Sequence, residues 1–343
     1  MSLITTRSPV TLRQTFSFYV SARRPEVIRR VSELADAVVV CGSSGPSVVQ
    51  DLRAQGWDGV AVLFDRGAYV ANASPVNPVA WADEQESAGA DRILSPGCFV
   101  AWGDRVPSFE DQVGAELERM VSGATMVLSI DHRWLTKSAG FDTMKVALRQ
   151  IDAPAALVLA DTGDPLGHPG AVNALIALTT TIQGLSVLRT DHGGIGALAF
   201  RAAHASLGLT TGHRHAVPPD EHAYAKPNDR SKRIFVADLM DWFTSQTIAG
   251  WSTTRSSPSC RYECCRGARV DRFFDERLAD QADIHNETVL AAIANEVLRA
   301  PTESQRRYFG AMCARAVEKY GPMGNLVNEI VPKRQLTQWA QFA

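Results

Sequence analysis

The stretch Met126–Asp161, MVLSIDHRWLTKSAGFDTMKVALRQIDAPAALVLAD, decides the fold. It opens on the apolar run Met126–Ile130 and closes on another, Ala156–Ala160, and an aspartate follows each at once. Runs that are apolar at consecutive rather than alternate positions suit strands buried on both faces. Thr143–Gln150 between them has a helical pattern, so the unit reads strand–helix–strand. The same kind of run recurs at Thr15–Val20, Ala37–Cys41, Val60–Phe64, Arg92–Leu94, Leu185–Leu188 and Ala205–Leu209. Helical intervals separate most of them, among them Pro46–Gln55, Phe109–Ser122 and Gly170–Gln183. Ser108 ahead of Glu110 and Asp111 supplies a cap and the acidic first turn that a helix dipole favours. Eight such repeats predict an α/β chain closed into a (β/α)8 TIM barrel, with an open doubly wound sheet as the rival. Gly193-Gly194-Ile195-Gly196 is the nearest approach to a phosphate-cradling loop, and it matches neither phosphate-binding pattern.

The whole chain has 343 residues, 45% of them hydrophobic, with 35 Lys+Arg against 37 Asp+Glu. That composition excludes a disordered chain and argues against non-specific wrapping of nucleic acid, while leaving room for a local basic patch. No apolar run is long enough to cross a bilayer, and Met1–Pro9 lacks an apolar signal core, so no membrane association and a cytoplasmic location are expected. Six cysteines in this length do not make a disulfide scaffold. After Pro218 the pattern changes. Pro218–Arg233 reads as a polar, exposed connection, Ile234–Trp251 as a helix on the barrel or a further strand, Thr253–Pro258 as a link, and Asp283–Tyr320 as helical. The expected division is a catalytic barrel over 1–252 and a metal-binding helical module over 253–343.

Function in a barrel gathers at the C-terminal ends of the strands. Four aspartates fall there: Asp65, Asp131, Asp161 and Asp191, spaced by 66, 30 and 30 residues. Carboxylates crowded at one mouth can serve as acid, base or nucleophile; the plainer alternative is that each only turns the chain. Cys260, Cys264 and Cys265 lie within six residues, and His285 follows 20 positions after the last. Three thiolates and an imidazole form a closed tetrahedral set of the structural zinc kind. Cys41, Cys98 and Cys313 read as small buried hydrophobes. His192 stands beside Asp191, and His213-Arg214-His215 follows the last barrel run, where these residues line the mouth or meet a phosphate, against ordinary surface histidines as the alternative. Tyr69, Phe99 and Trp102 sit near strand ends as walls of the mouth, or as core. Arg23, Arg24, Arg29 and Arg30 are candidates for a phosphate backbone, against a solvated helix face as the default.

These features resemble the tRNA-guanine transglycosylase superfamily, including the branch that inserts 7-deazaguanine bases into DNA. Phe64-Asp65-Arg66-Gly67-Ala68-Tyr69 is similar to the family's Asp-Ser-Gly-Gly-Phe motif. Cys260…Cys265 followed by Ile284-His285-Asn286 is similar to its zinc site and the helix behind it. The departures are specific: Tyr262 stands where the family has its middle cysteine, Ser206–Thr211 lacks the family's nucleophilic aspartate, and Ser95-Pro96-Gly97 replaces another strand-end aspartate. The family's base-recognition loop has no counterpart near Asp161–Asp164. The resemblance implies exchange of guanine for a 7-deazaguanine through a carboxylate-linked glycosyl intermediate, with DNA favoured over tRNA, and a homodimer or accessory protein as a further partner. Asp65 then handles the proton or contacts the base, Asp191 is the nucleophile, and Asp131 and Asp161 are reserves. The alternatives are a non-catalytic nucleic-acid-binding subunit and an unrelated barrel enzyme acting on a small molecule.

Overall fold

A computed structural model describes residues 14–58, 60–222, 231–252, 257–324 and 330–343. The segment Met1–Pro9, half of the 218–233 connection including Lys226, Asp229 and Arg230, and most of the 253–258 link lie outside the described residues. Eight parallel strands make up the main sheet: β1 (Thr15–Ser21), β2 (Ala37–Cys41), β3 (Ala61–Asp65), β4 (Cys98–Val100), β5 (Met126–Asp131), β6 (Ala155–Ala160), β7 (Ser186–Thr190) and β8 (His204–Gly208). The first and last strands pair, Phe18 opposite Leu207 and Tyr19 opposite Gly208, so the strands follow the cyclic order of a TIM barrel, with the ladder interrupted between β3 and β4. Helices α1 (Pro25–Val31), α2 (Gly45–Ala54), α3 (Pro78–Ser87), α4 (Phe109–Arg119), α5 (Arg133–Thr136), α6 (Ser138–Gln150), α7 (Ala171–Thr181) and α8 (Gly193–Ala199) alternate with the strands.

Side-chain period explains why these strands look uniformly apolar in sequence. Phe16, Phe18, Val38, Val40, Leu128 and Leu157 pack outward under the helices. Val39, Leu63, Val127, Val158 and Leu188 fill the barrel interior together with Tyr19 and Tyr69. The sheet has one seam: among the described residues no ladder joins β3 to β4. Three contacts bridge it, with Asp91 N–H donating to Val62 O at 3.0 Å, Val62 N–H to Asp91 Oδ2 at 2.7 Å, and Ala68 N–H to Pro96 O at 3.1 Å.

The fourth strand is a correction to the sequence reading. The run Arg92–Leu94 contributes only one bridge, Leu94 to Thr125, and the strand itself is the short Cys98–Val100. The reason is the buried amide of Gln85 on α3. It donates to Leu94 O at 2.9 Å and accepts from Leu94 N–H at 3.0 Å, occupying the groups a neighbouring strand would pair. The glycine cluster has a packing explanation as well. A Cβ on Gly194 would lie 2.1 Å from Thr190 Oγ1, and one on Gly196 2.7 Å from the Trp339 ring, so α8 needs glycine to lie close against β7 and the C-terminal helix.

The remainder of the chain forms a module on the barrel. The Ile234–Trp251 stretch is neither one helix nor one strand: β9 (Arg233–Val236) and β10 (Asp241–Thr244) form an antiparallel hairpin that leads into α9 (Ser245–Ser252). The expected helical region divides into α10 (Ala279–Arg299) and α11 (Gln305–Gly324), followed by α12 (Arg334–Ala340). Asn286 on α10 ties the hairpin down, accepting from Phe235 N–H at 2.8 Å and donating to Arg233 O at 2.8 Å. The hairpin, numbered with the barrel in a division at 252, is thus hydrogen-bonded to the module.

Two of the four arginines considered for phosphate contact join module to barrel instead. Arg30 donates to both carboxylate oxygens of Glu287, at 2.6 Å to Oε1. Arg24 and Lys232 converge on Asp283, at 3.2 and 3.0 Å. Arg29 donates to Gln55 at 2.6 Å. Glu287 is 2% exposed, so removing its partner strands a buried charge. Arg30→Ala is therefore expected to lower the unfolding free energy by about 3–5 kcal/mol in urea titration; a loss below about 1 kcal/mol would show that the pair does not hold the module.

Candidate active site and metal centre

The four strand-end aspartates share one local geometry. In each, Oδ1 accepts the backbone N–H two residues on: Gly67 to Asp65 at 2.8 Å, Arg133 to Asp131 at 2.9 Å, Gly163 to Asp161 at 2.9 Å, and Gly193 to Asp191 at 2.8 Å. This is the Asx turn, by which a short acidic side chain reverses the chain after a strand. The turning role is real at all four positions, and it leaves Oδ2 of each for another partner. All four lie at the C-terminal ends of β3, β5, β6 and β7 or one residue beyond, on one rim of the barrel.

Those second partners differ. Asp65 is fully buried, and its Oδ2 accepts from Tyr19 at 2.6 Å and Tyr69 at 2.5 Å. Arg189 lies 5.9 and 5.8 Å from the same two rings and donates to Gly212 O at 2.6 Å. Burial and the Asp65 charge raise both tyrosines well above the usual phenol range. The sequence missed Tyr19 and Arg189 as members of this group. Asp131 is committed to Arg133, whose Nε donates to Oδ1 at 2.8 Å and whose terminal nitrogen donates to Oδ2. Asp161 Oδ2 meets His168 Nε2 at 2.5 Å and His132 Nδ1 at 3.3 Å, and the two imidazoles stack with centroids 4.0 Å apart.

Asp191 Oδ2 accepts from Gln335 of α12 at 2.8 Å, so the C-terminal helix reaches the rim. Burial works against its charge, but His192, Lys333 and the Gly193 amide more than offset it and hold Asp191 below the usual carboxylate range. Asp164 behaves in the opposite way. Burial, and then the Asp191 charge, push it up to about 7. Its Oδ1 accepts from Leu166 N–H at 3.0 Å, while its buried Oδ2 has no hydrogen-bond partner among the described residues. The two carboxyl groups thus stand within electrostatic reach of each other and are pushed in opposite directions, Asp191 down and Asp164 up.

The other expected mouth residues separate. His213 packs edge-on to Tyr19 at 5.4 Å, with Nε2 3.7 Å from Cys41 Sγ, and burial lowers it to about 4. His215 is lowered by burial too, with the Asp191 and Asp161 charges opposing that and Arg189 and Arg214 adding to it. His192 is fully buried near Phe235, with Nδ1 3.7 Å from Asp191 Oδ2, and neither ring nitrogen has a hydrogen-bond partner among the described residues. Arg214 lies 3.3 Å above the Trp242 ring, where burial pulls its guanidinium down to about 9. Trp102 packs edge-on to Trp134 at 4.6 Å, Tyr69 is barrel core, and Phe99 packs against the same interior cluster.

Cys260, Cys264, Cys265 and His285 converge, each ligand atom within 4.8 Å of the others. The Cys260–Cys264 and Cys264–Cys265 sulfurs are 3.9 and 3.7 Å apart, and His285 Nδ1 is 3.7 Å from Cys264 Sγ and 3.2 Å from Cys265 Sγ. Ligands held tetrahedrally at about 2.0–2.3 Å from zinc would stand roughly 3.5–3.8 Å from one another. Cys260 to Cys265 wrap into a knuckle: Cys265 N–H donates to Tyr262 O at 3.0 Å, and Arg266 and Gly267 turn the chain at φ 51° and 85°. His285 Nε2 donates to Phe235 O at 2.9 Å, which fixes the tautomer with Nδ1 free to ligate. The group can hold a metal ion.

No helix among the described residues is long and apolar enough to cross a membrane. No protein-family model matches the chain, and no curated protein matches it. Among solved structures it is similar to the carboxyl transferase domain of Rhizobium etli pyruvate carboxylase with 3-bromopyruvate, at 12% identity and a TM-score of 0.36. The match covers 97% of this chain and 61% of that one, so the chain spans less than two thirds of the structure it matches.

A proton bound to folded Asp164 but absent from the unfolded chain stabilises the fold at low pH. That contribution is fully present below about pH 4 and is lost as pH rises through about 7. Asp164→Asn should remove this fall and make the variant the more stable protein at pH 8, by urea titration across pH. Parallel pH profiles for variant and parent would contradict the assignment.

Proposed function

We propose that the protein exchanges a purine base at a glycosidic bond of nucleic acid, guanine for a 7-deazaguanine, with DNA preferred to tRNA. The observation that carries this reading is the Asp164–Asp191 pair on the rim: Asp191 Oδ2 accepts from Gln335, the buried Asp164 Oδ2 has no hydrogen-bond partner among the described residues, and the surroundings push Asp191 down and Asp164 up. The Cys3His group behind the barrel and the Asp65 turn, the two motif stretches of the resemblance, support it as well.

In this mechanism the ionised Oδ2 of Asp191 attacks C1′ of the target nucleoside. The bond from C1′ to the purine nitrogen breaks, its electron pair goes to that nitrogen, and Asp164 donates the proton that neutralises it. A 7-deazaguanine then gives its ring N–H proton to Asp164 and attacks C1′, which releases Asp191. Two displacements retain the configuration. Asp65 is a positioning residue that holds the Tyr19 and Tyr69 hydroxyls beneath the mouth. The target base must leave the helical stack to reach these groups. A metal at the Cys3His site, with zinc suited to its donors, would brace the module that carries Gln335 to the rim.

Purified protein incubated with labelled guanine or 7-deazaguanine, with DNA and tRNA offered separately, should place label in DNA. Asp191→Asn should reduce incorporation by at least about 10³-fold and Asp164→Asn by about 10²–10⁴-fold, with metal content unchanged. Absence of label in both nucleic acids, or full activity of Asp191→Asn, would overturn the reading. Cys265→Ser should lose close to one zinc per chain and lower the thermal midpoint; parental zinc content in that variant would contradict the metal assignment.

A further inference from the structure

The rim carries a second constellation of metal-ligand type, remote in sequence from the cysteines and unused by the proposed exchange. His132 follows β5, Asp161 follows β6, and His168 lies beyond the single 3-10 turn Pro165–Gly167. We propose that His132 Nδ1, Asp161 Oδ2 and His168 Nε2 form a binding site for a divalent transition-metal ion, with its remaining coordination positions open to solvent.

The three atoms lie within 4.8 Å of one another. His132 Nδ1 approaches Asp161 Oδ2 to 3.3 Å yet makes no hydrogen bond there, and it is a buried nitrogen without a partner among the described residues. A metal ion would take that lone pair. Asp161 is oriented as a ligand should be: Gly163 N–H and Thr162 Oγ1 bind Oδ1, at 2.9 and 3.4 Å, and leave Oδ2 facing the imidazoles. The rings stack at 4.0 Å with planes 12° apart, an arrangement that suits two neutral imidazoles on one cation better than two imidazoliums.

Exposure sets the kind of site. The Asp161 side chain is 8% exposed, that of His132 21% and that of His168 39%, so the group is anchored on one side and open on the other. Three protein ligands with open positions make a reactive site, in contrast to the closed cysteine set. Two nitrogens and one oxygen suit zinc, iron(II), cobalt or manganese rather than calcium or magnesium. The chemistry such a site supplies is Lewis-acid polarisation or a metal-bound water ionised near neutral pH.

The test uses full-length protein stripped with a chelator and titrated with Co2+ or Zn2+ in the absence of nucleic acid. Two ions per chain are expected. One gives thiolate-to-cobalt charge-transfer absorption and disappears in Cys265→Ser; the other lacks that band and disappears in His168→Ala and His168→Gln, which keep the first. Thermal melting without metal checks that the histidine variants fold. Absence from the parent protein of an ion lacking that band, or its retention by both histidine variants, overturns the proposal. Because binding is read apart from base exchange, two ions with no incorporation would discard the exchange reading and leave this site standing.

Discussion

One hydrogen bond, repeated four times, shapes the working end of this barrel. An aspartate closing a strand turns the chain by accepting the amide two residues on, and it can do so with a single oxygen. The turn then fixes the direction of the other oxygen. Four neighbouring loops built this way set four carboxylates around one rim without requiring them to bind one another. What each does depends on what the fold delivers to Oδ2: two tyrosines at Asp65, a guanidinium at Asp131, two imidazoles at Asp161, and a glutamine from the end of the chain at Asp191. The structural and chemical readings of these residues are therefore compatible, because they concern different atoms of the same side chain.

The module is coupled to the rim by the same economy of contacts. Helix α10 meets α1 and the residue before it through the Arg30–Glu287 and Arg24–Asp283 pairs, and Asn286 and His285, adjacent on that helix, bind one edge of β9 at Arg233 and Phe235. His285 thus has one nitrogen in the metal group and the other on the hairpin. At the far end α12 places Gln335 on Asp191 and Gln338 on the carbonyls of Leu166 and His168, at 3.3 and 3.2 Å. Trp339 packs against Phe309 and Phe200 and seats that helix over the glycines of α8.

Much of the barrel was legible in the sequence because both faces of its strands are buried. Ala37–Cys41 was read to the residue, and β5 and β6 to within one. The fourth strand was not, because its three residues are too few for a pattern and a glutamine side chain imitates a strand partner beside the more strand-like run. The cysteine group was legible because three of its ligands are neighbours along the chain. His132 and His168 carried no such signal: they lie 36 positions apart, on two loops, and only the pairing of β5 with β6 brings them together. The arginines of α1 were ambiguous for a related reason, since their partners on α10 are some 250 residues away.

The central claim is that each rim aspartate turns the chain with one oxygen and serves the mouth with the other. Asparagine retains the accepting oxygen and removes the second anionic one, whereas alanine removes both. Urea unfolding of Asp161→Asn against Asp161→Ala, and of Asp191→Asn against Asp191→Ala, separates the two roles. The account predicts that alanine costs about 1–2 kcal/mol more than asparagine at each position. Equal losses for the two substitutions at both positions would contradict it.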